Sequence, residues 1–336
     1  MKRFFIAVFA LMFVLACALG IYFYRRHSAN ALFVSAPTPD VFALLPDDAP
    51  AYIFCDVARL RSSPVSAGLA ALAQSNSTDA EYKTFVADTG FDFFRDVDRI
   101  AAAFWPGDKN PKLLAFAQGH FDAQKIKAYA RRSGGKIREQ DGREIYELSL
   151  RNPPAIVSFT FLASDRIAIS QNRLLDFSSK SRTTPPPDAS MREGLEKLSG
   201  AAFFAIARTA AWPQMNFAAT PQTQQLGKLL ASVQLVSLAG QPQGNDLGVA
   251  FDADCDSVAH ALELSTLFDA VRWFARAALS DPRNIRSMSP EDVRLLNSVL
   301  AKAQVSRDSN HVVIRLNLSS DLLQGESPAS NSGSAR

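Results

Sequence analysis

The stretch "GVAFDADCDSVAHALE" (248–263) sets Asp252, Asp254 and Asp256 at alternate positions, with Glu263 seven residues beyond the last of them. Numbered from Asp252, the four acids fall at positions one, three, five and twelve of a calcium loop, whose oxygen ligands enclose a hard cation. That loop also needs a glycine at position six for its sharp turn, and Ser257 stands there. From Val258 onward apolar residues recur at helical spacing (Val258, Ala261, Leu262, Phe268). A chain already helical at that point cannot wrap an ion over twelve residues. The pattern therefore predicts a strand running into a helix, with an aspartate at the junction accepting a backbone N–H and facing the positive helix end. "GHFDAQKIKAYA" has one such residue, Asp122, at the corresponding place earlier in the chain. The four acids are weak metal candidates, and no metal site is expected.

Other catalytic patterns are sparse. "SGGK" (133–136) has the serine–lysine spacing of penicillin-recognising enzymes, but that motif needs its serine at the opening of a helix. Ser133 closes a predicted helix, and two glycines follow it. No G-x-S-x-G elbow, H-E-x-x-H pair or Gly-rich phosphate loop is present. His120, His260 and His311 are scattered one per element. No catalytic residue and no cofactor is expected from these patterns. A hydrolase would need groups that meet only in three dimensions, such as two or more of Asp252, Asp254, Asp256, His260 and His311 in one cleft.

Apolar contact is the other chemistry on offer, since 24 of the 336 residues are phenylalanine. In "TGFDFFRDVDRI" the residues Phe91, Phe93 and Phe94 sit in a polar-interrupted loop. They either plug the core or form a lip for a lipid or protein partner. The long helix after Ser257 carries Leu264, Leu267, Phe268, Val271, Phe274 and Ala275 in one stripe; core packing is expected there.

The elements that position these residues read as α+β. Residues 50–180 show strand, helices, paired strands, a helix ended by Gly134 and Gly135, then a hairpin around Asp141-Gly142 and another around Ser164-Asp165. A Pro-rich linker, 181–190, interrupts the pattern with three consecutive prolines. Across 191–322 the order recurs, with a longer helix in the place of "AQKIKAYARR" and a second helix opened by Ser289 and Pro290. The expectation is two related halves, each an antiparallel sheet with helices packed on one face. Residues 28–49, with three prolines, read as a stalk, and the small polar tail 323–336 as disordered.

Residues 1–27 read as a membrane anchor. Phe4–Tyr24 is an uncharged run of 21 residues, with Lys2 and Arg3 before it and Arg25 and Arg26 after it. About 20 apolar residues span a hydrocarbon layer as a helix, and Tyr22 and Tyr24 suit an interfacial position. A cleaved signal peptide would have a shorter apolar core. A lipoprotein signal ending at Cys17 is the remaining alternative, although Leu15 is bulky for it. The expected location is a single pass through the cytoplasmic membrane, with the bulk of the chain on the periplasmic or extracellular side. A Cys55–Cys255 disulfide would be permitted there. Formal charge is only +3, with no basic stripe, which argues against a nucleic-acid partner.

Three phrases, "PDDA" (46–49), "GFDFFRDVDR" (90–99) and the run from Gly119 to "IYEL" at Leu148, resemble a broad group of exported, membrane-anchored bacterial proteins without an assigned activity. The resemblance covers about the first half of the chain and implies an envelope location. The functional expectation is thus a membrane-anchored cell-envelope binding or scaffolding module, partnered by an envelope protein or lipid. The alternatives are a lipid or lipoprotein carrier with an apolar pocket, and the hydrolase described above.

Overall fold

The computed structural model describes residues 41–75, 80–106, 111–151, 154–171, 189–211, 229, 231–280 and 290–320. The apolar run, the stalk as far as residue 40, the Pro-rich linker up to residue 188 and the tail lie outside the described residues. Among those described, no helix is long and apolar enough to cross a membrane.

The described residues open with a 3-10 turn, Phe42–Leu44, and strand β1, Ala51–Asp56. Helices α1 (Val57–Arg61), α2 (Ser66–Ser75), α3 (Ala80–Thr89) and α4 (Phe93–Asp96) follow. Strands β2 (Val97–Trp105) and β3 (Lys112–Gly119) lead to α5 (Ala123–Arg132). Two hairpins come next: β4 (Lys136–Gln140) with β5 (Arg143–Arg151), and β6 (Pro154–Ala163) with β7 (Arg166–Gln171). Helix α6 (Ala189–Leu198) precedes β8 (Phe203–Arg208), β9 (Val233–Gln243) and β10 (Asp246–Cys255). The last elements are α7 (Val258–Ser280), α8 (Pro290–Lys302), β11 (Gln304–Asp308) and β12 (His311–Ser319).

Turn chemistry accounts for the hairpins. Asp141 and Gly142 both take positive φ (53° and 73°), the geometry that matches the right-handed twist of the strands on either side. Asp56 ends β1 early: its carboxylate accepts the Arg59 N–H at 2.9 Å and starts α1, so "AYIFCDVARL" is a strand and a helix rather than one strand.

Among the described residues, all twelve strands join in one antiparallel sheet, ordered β11-β12-β10-β9-β8-β1-β2-β3-β7-β6-β5-β4. The stretches before and after the linker are stitched by the β1–β8 ladder, with Ile53 opposite Ala205 and Phe54 opposite Phe204. On one face, Tyr52, Phe54, Phe204 and Ile206 pack with Met191 and Leu198 of α6 and with Val41 and Leu45 beside the 3-10 turn. On the other, Leu238, Val249 and Leu316 pack with Leu60 and Val299; Ala117, Tyr146 and Phe159 pack with Ile126 and Ala130 of α5; and Ala253 and Val312 pack with Ala261 and Leu264 of α7. Helices therefore cover both faces, not one. The exception is α6, which begins at Ala189 inside the expected linker and sets Met191, Leu195 and Leu198 against the face opposite α7 and α8.

Both described cysteines are free. Cys55 lies on β1 and Cys255 on β10, three ladders apart in the strand order, so about 14 Å separates the two strands at ~4.8 Å per ladder. A disulfide needs Cα atoms within about 7 Å, and the permitted Cys55–Cys255 bond is ruled out by the fold.

Tyr52 locks the entry to β1: its hydroxyl donates to the Pro46 carbonyl (2.8 Å) and accepts the Ala49 N–H (3.1 Å). The "PDDA" phrase is thus a turn tied to a buried phenol. Burial pushes Tyr52 up to about 12 and the Cys55 thiol up to about 12. Both groups hold their protons more tightly folded than unfolded, where the values are about 10 and about 8.5. Their contribution is complete below those unfolded values and is lost as pH rises through them towards about 12. The urea midpoint should hold steady up to about pH 8 and fall steeply between about pH 9 and 12, with Tyr52→Phe shallower above about pH 10. Equal midpoints across that window would contradict the assignment.

Candidate functional site

The aspartates that opened the sequence do not form one site. Asp252 and Asp254 share a face of β10, and Asp254 is in register with His311 of β12. His311 Nδ1 lies 3.5 Å from Asp252 Oδ1 and 3.9 Å from Asp254 Oδ1. Asn310 Nδ2 donates to Asp254 Oδ1 at 2.5 Å and to the Cys255 carbonyl at 2.9 Å. Burial raises the Asp252 carboxyl above its ordinary range, against the pull of His311 and Lys197.

A register shift between Asp254 and Cys255 breaks the strand alternation. Beyond it Asp256 bonds the His260 ring, Oδ1 to Nδ1 at 2.5 Å. That bond lowers Asp256 and raises His260. Ser257 takes the capping role expected of the aspartate, its Oγ accepting the His260 N–H at 3.2 Å; Asp122 does cap α5, accepting the Lys125 N–H at 3.0 Å. Glu263 is exposed on α7. Among the described residues, no group of three or more His, Cys, Asp or Glu side chains is placed to hold a metal ion.

The phenylalanine loop is built differently from an open lip. Gly90 ends α3 with φ 71°, its N–H on the Val86 carbonyl at 2.8 Å. Asp92 then caps α4: its carboxylate accepts the Arg95 N–H, and Asp96 returns the bond by accepting the Asp92 N–H, both at 2.8 Å. The exchange is reciprocal, as in a capping box, but the returning carboxylate, Asp96, stands one residue later than that motif places it. The Arg95 side chain holds Asp96 below the usual carboxylate range. Phe91 and Phe94 are consequently turned into the cluster around Val97 and Ile126, Phe91 stacking on Phe121 with ring centroids 6.2 Å apart. Phe93 alone stays outside, 40% exposed.

Arg61 fastens this corner to α1. It donates to the carbonyls of Phe94 and Arg95 (2.7 Å each) and Val97 (3.2 Å), and to Asp98 at 2.6 Å. Asp98 also faces the His120 ring at 3.6 Å, and Arg99 pairs with Asp56 at 3.4 Å. Each polar member of "GFDFFRDVDR" thus has an architectural task. A cleft of about 230 Å³ opens here, lined by Thr89, Phe91, Arg95, Asp96, His120 and Lys125 among others. A second, broader one lies against Phe121, Ser164 and Asp165. Arg95, Asp96, Asp122 and Lys125 in the first are bonded to one another or to the main chain, so the arrangement positions α4 against the sheet, while the His120 ring is left exposed, facing Asp98.

Helix α7 departs from its expected packing. Leu264 is buried, and Leu267 and Phe268 pack against the cluster of Ala253 and Val312, but Val271 is 49% exposed and Phe274 65%. The stripe read as continuous core therefore stops after three turns. Trp273, which sequence reasoning passed over, is also 65% exposed, its ring edge-on to Phe274 with centroids 5.0 Å apart. The signal was present in "VRWFARAAL": apolar residues there occupy more of the helix circumference than one buried strip requires.

No protein-family model matches the chain, and no curated protein matches it. Among solved structures, three crystal forms of TP0453 are similar. Form I has 12% identity, a TM-score of 0.44 and coverage of 86% of this chain and 96% of that one. Form III has 12% identity, a TM-score of 0.46 and coverage of 86% and 98%.

Proposed function

We propose that the protein is a membrane-anchored binding or scaffolding module of the cell envelope, with its sheet domain on the periplasmic or extracellular side. The observation that carries this reading is the uncharged run Phe4–Tyr24 between Lys2-Arg3 and Arg25-Arg26, long enough for one hydrocarbon crossing. Of the groups the hydrolase alternative needs, Asp256 meets His260 at 2.5 Å and His311 lies 3.5 Å from Asp252, and neither pair lines the two clefts beside His120. The narrower cleft beside His120 is lined largely by polar groups, and the broader one lies open at the surface, which favours surface contact over enclosure of a lipid. The resemblance of the first half to exported, anchored bacterial proteins agrees with this placement.

On this reading the sheet is a duplication. Strands β1, β2, β3, β4 and β5 correspond to β8, β9, β10, β11 and β12, and α5 corresponds to α7. The first half carries an additional hairpin, β6–β7, between the counterparts of β10 and β12, which pair directly in the second half.

Fractionation of cells expressing the full chain tests the anchor. The protein should resist alkaline carbonate, leave the membrane only in detergent, and keep its intact N-terminus by mass. Recovery in the soluble fraction, or a chain trimmed after the apolar run, would sink the proposal. Crosslinking of intact cells before extraction should capture an envelope protein in defined stoichiometry.

A further inference from the structure

We infer that the C-terminal half of α7 is a second, reversible membrane contact, inserting Trp273 and Phe274 into an anionic bilayer surface. The inference rests on the envelope placement proposed above, but its observations are separate. Buried residues in α7 end at Leu264, and the last turns carry Val271, Trp273 and Phe274 at 49%, 65% and 65% exposure. At 100° per residue, Trp273, Ala277, Ala270, Phe274, Ala278 and Val271 fill one continuous apolar arc. The arc that meets the sheet runs through Leu264, Leu267 and Phe268 and overlaps this one in the earlier turns. Beyond Phe268 the helix therefore carries apolar side chains that are turned outward.

Charge selects the occupant. The polar side of the same turns holds Arg272 and Arg276, and Asp269 is already paired with Arg272 at 2.8 Å. From Ala270 to Ser280 the helix has two arginines and no acid. An indole and a phenyl ring beside arginines on a helix surface suit the interface of a bilayer, where rings lie at headgroup level and cations meet lipid phosphates. Arg272 also ties the helix down, donating to the Ala303 carbonyl at the end of α8 at 3.2 Å. The aromatic pair is therefore presented on a fixed support, which lowers the ordering cost of docking.

The test uses the full chain reconstituted in vesicles of phosphatidylcholine with or without phosphatidylglycerol, each with plain or brominated acyl chains. The difference in fluorescence between wild type and Trp273→Phe isolates Trp273 from Trp105 and Trp212. In phosphatidylglycerol vesicles, brominated chains should quench that difference signal about two-fold or more, and molar salt should relieve the quenching. Arg276→Glu should abolish quenching while circular dichroism stays unchanged. An unquenched Trp273 signal in both lipids overturns the inference, whatever protein is crosslinked to the tip. Flotation separates the two readings. A chain that floats with neither vesicle type once quenching is absent loses both. One that floats only with phosphatidylglycerol, and is quenched there, keeps this contact and loses the anchor.

Discussion

Gly119→Ala is expected to lower unfolding stability by about 3 kcal/mol or more, the upper end of what overpacking a close-fitted site costs. A Cβ at this position would sit 2.1 Å from the Asp96 carbonyl oxygen and 2.9 Å from the Val97 Cα. Both obstacles are main chain. They cannot withdraw without breaking the bond from the His120 N–H to that same carbonyl (2.7 Å), and the Gly119 N–H is held on Asp165 (2.9 Å). Gly194 offers a contrast, because a Cβ there meets only the ends of Ile206 and Leu235, which can rotate, so Gly194→Ala should cost less. Urea unfolding of the two variants side by side is the measurement. A loss below about 0.5 kcal/mol for Gly119→Ala would mean that the corner between α4 and β3 yields freely.

Arg61→Ala should cost about 2 kcal/mol, because it strands three carbonyls and a carboxylate at once. The side chains of Arg61 and Asp98 are about one-third exposed (30% and 29%), so water replaces part of what is lost and the ion pair itself contributes little. The double-mutant comparison follows from that division. In an Asp98→Asn background, Arg61→Ala should retain most of its effect, since the carbonyl bonds are untouched. Arg61→Lys keeps the charge but lacks the planar fork that reaches several acceptors, and should recover less than half of the stability. Equal stability of the lysine variant and wild type would move the credit from geometry to charge.

Local chemistry made much of the first half legible in advance. Asp141-Gly142 announces its hairpin because few residues accept positive φ in sequence, and Asp122 announces a helix start because its carboxylate has an N–H to bond. Pairing between distant strands has no such marker. Nothing in "AYIFCD" or "FFAIAR" names the other as its neighbour, yet β1 and β8 form the seam that makes one sheet of two stretches. The same gap explains the side chains that were misplaced. Asp252, Asp254 and Asp256 look equivalent along the chain, and the register shift at Cys255 separates them only through the partner strand β9. The α7 stripe looks uniform, and its full burial stops at Leu264. Phe91, Phe93 and Phe94 look alike, and the Asp92–Asp96 bonds decide which of the three turns outward.

The strand order also fixes how the molecule addresses its surroundings. Neighbouring strands rotate by roughly 20–25°, and eleven ladders separate β4 from β11. At that average, eleven steps accumulate to about 220–275°. Surfaces at the two margins then look in different directions. The end bearing α7 and the end bearing β4 and α5 behave as opposite poles of a propeller-like slab, so that engaging one leaves the other open to a different visitor.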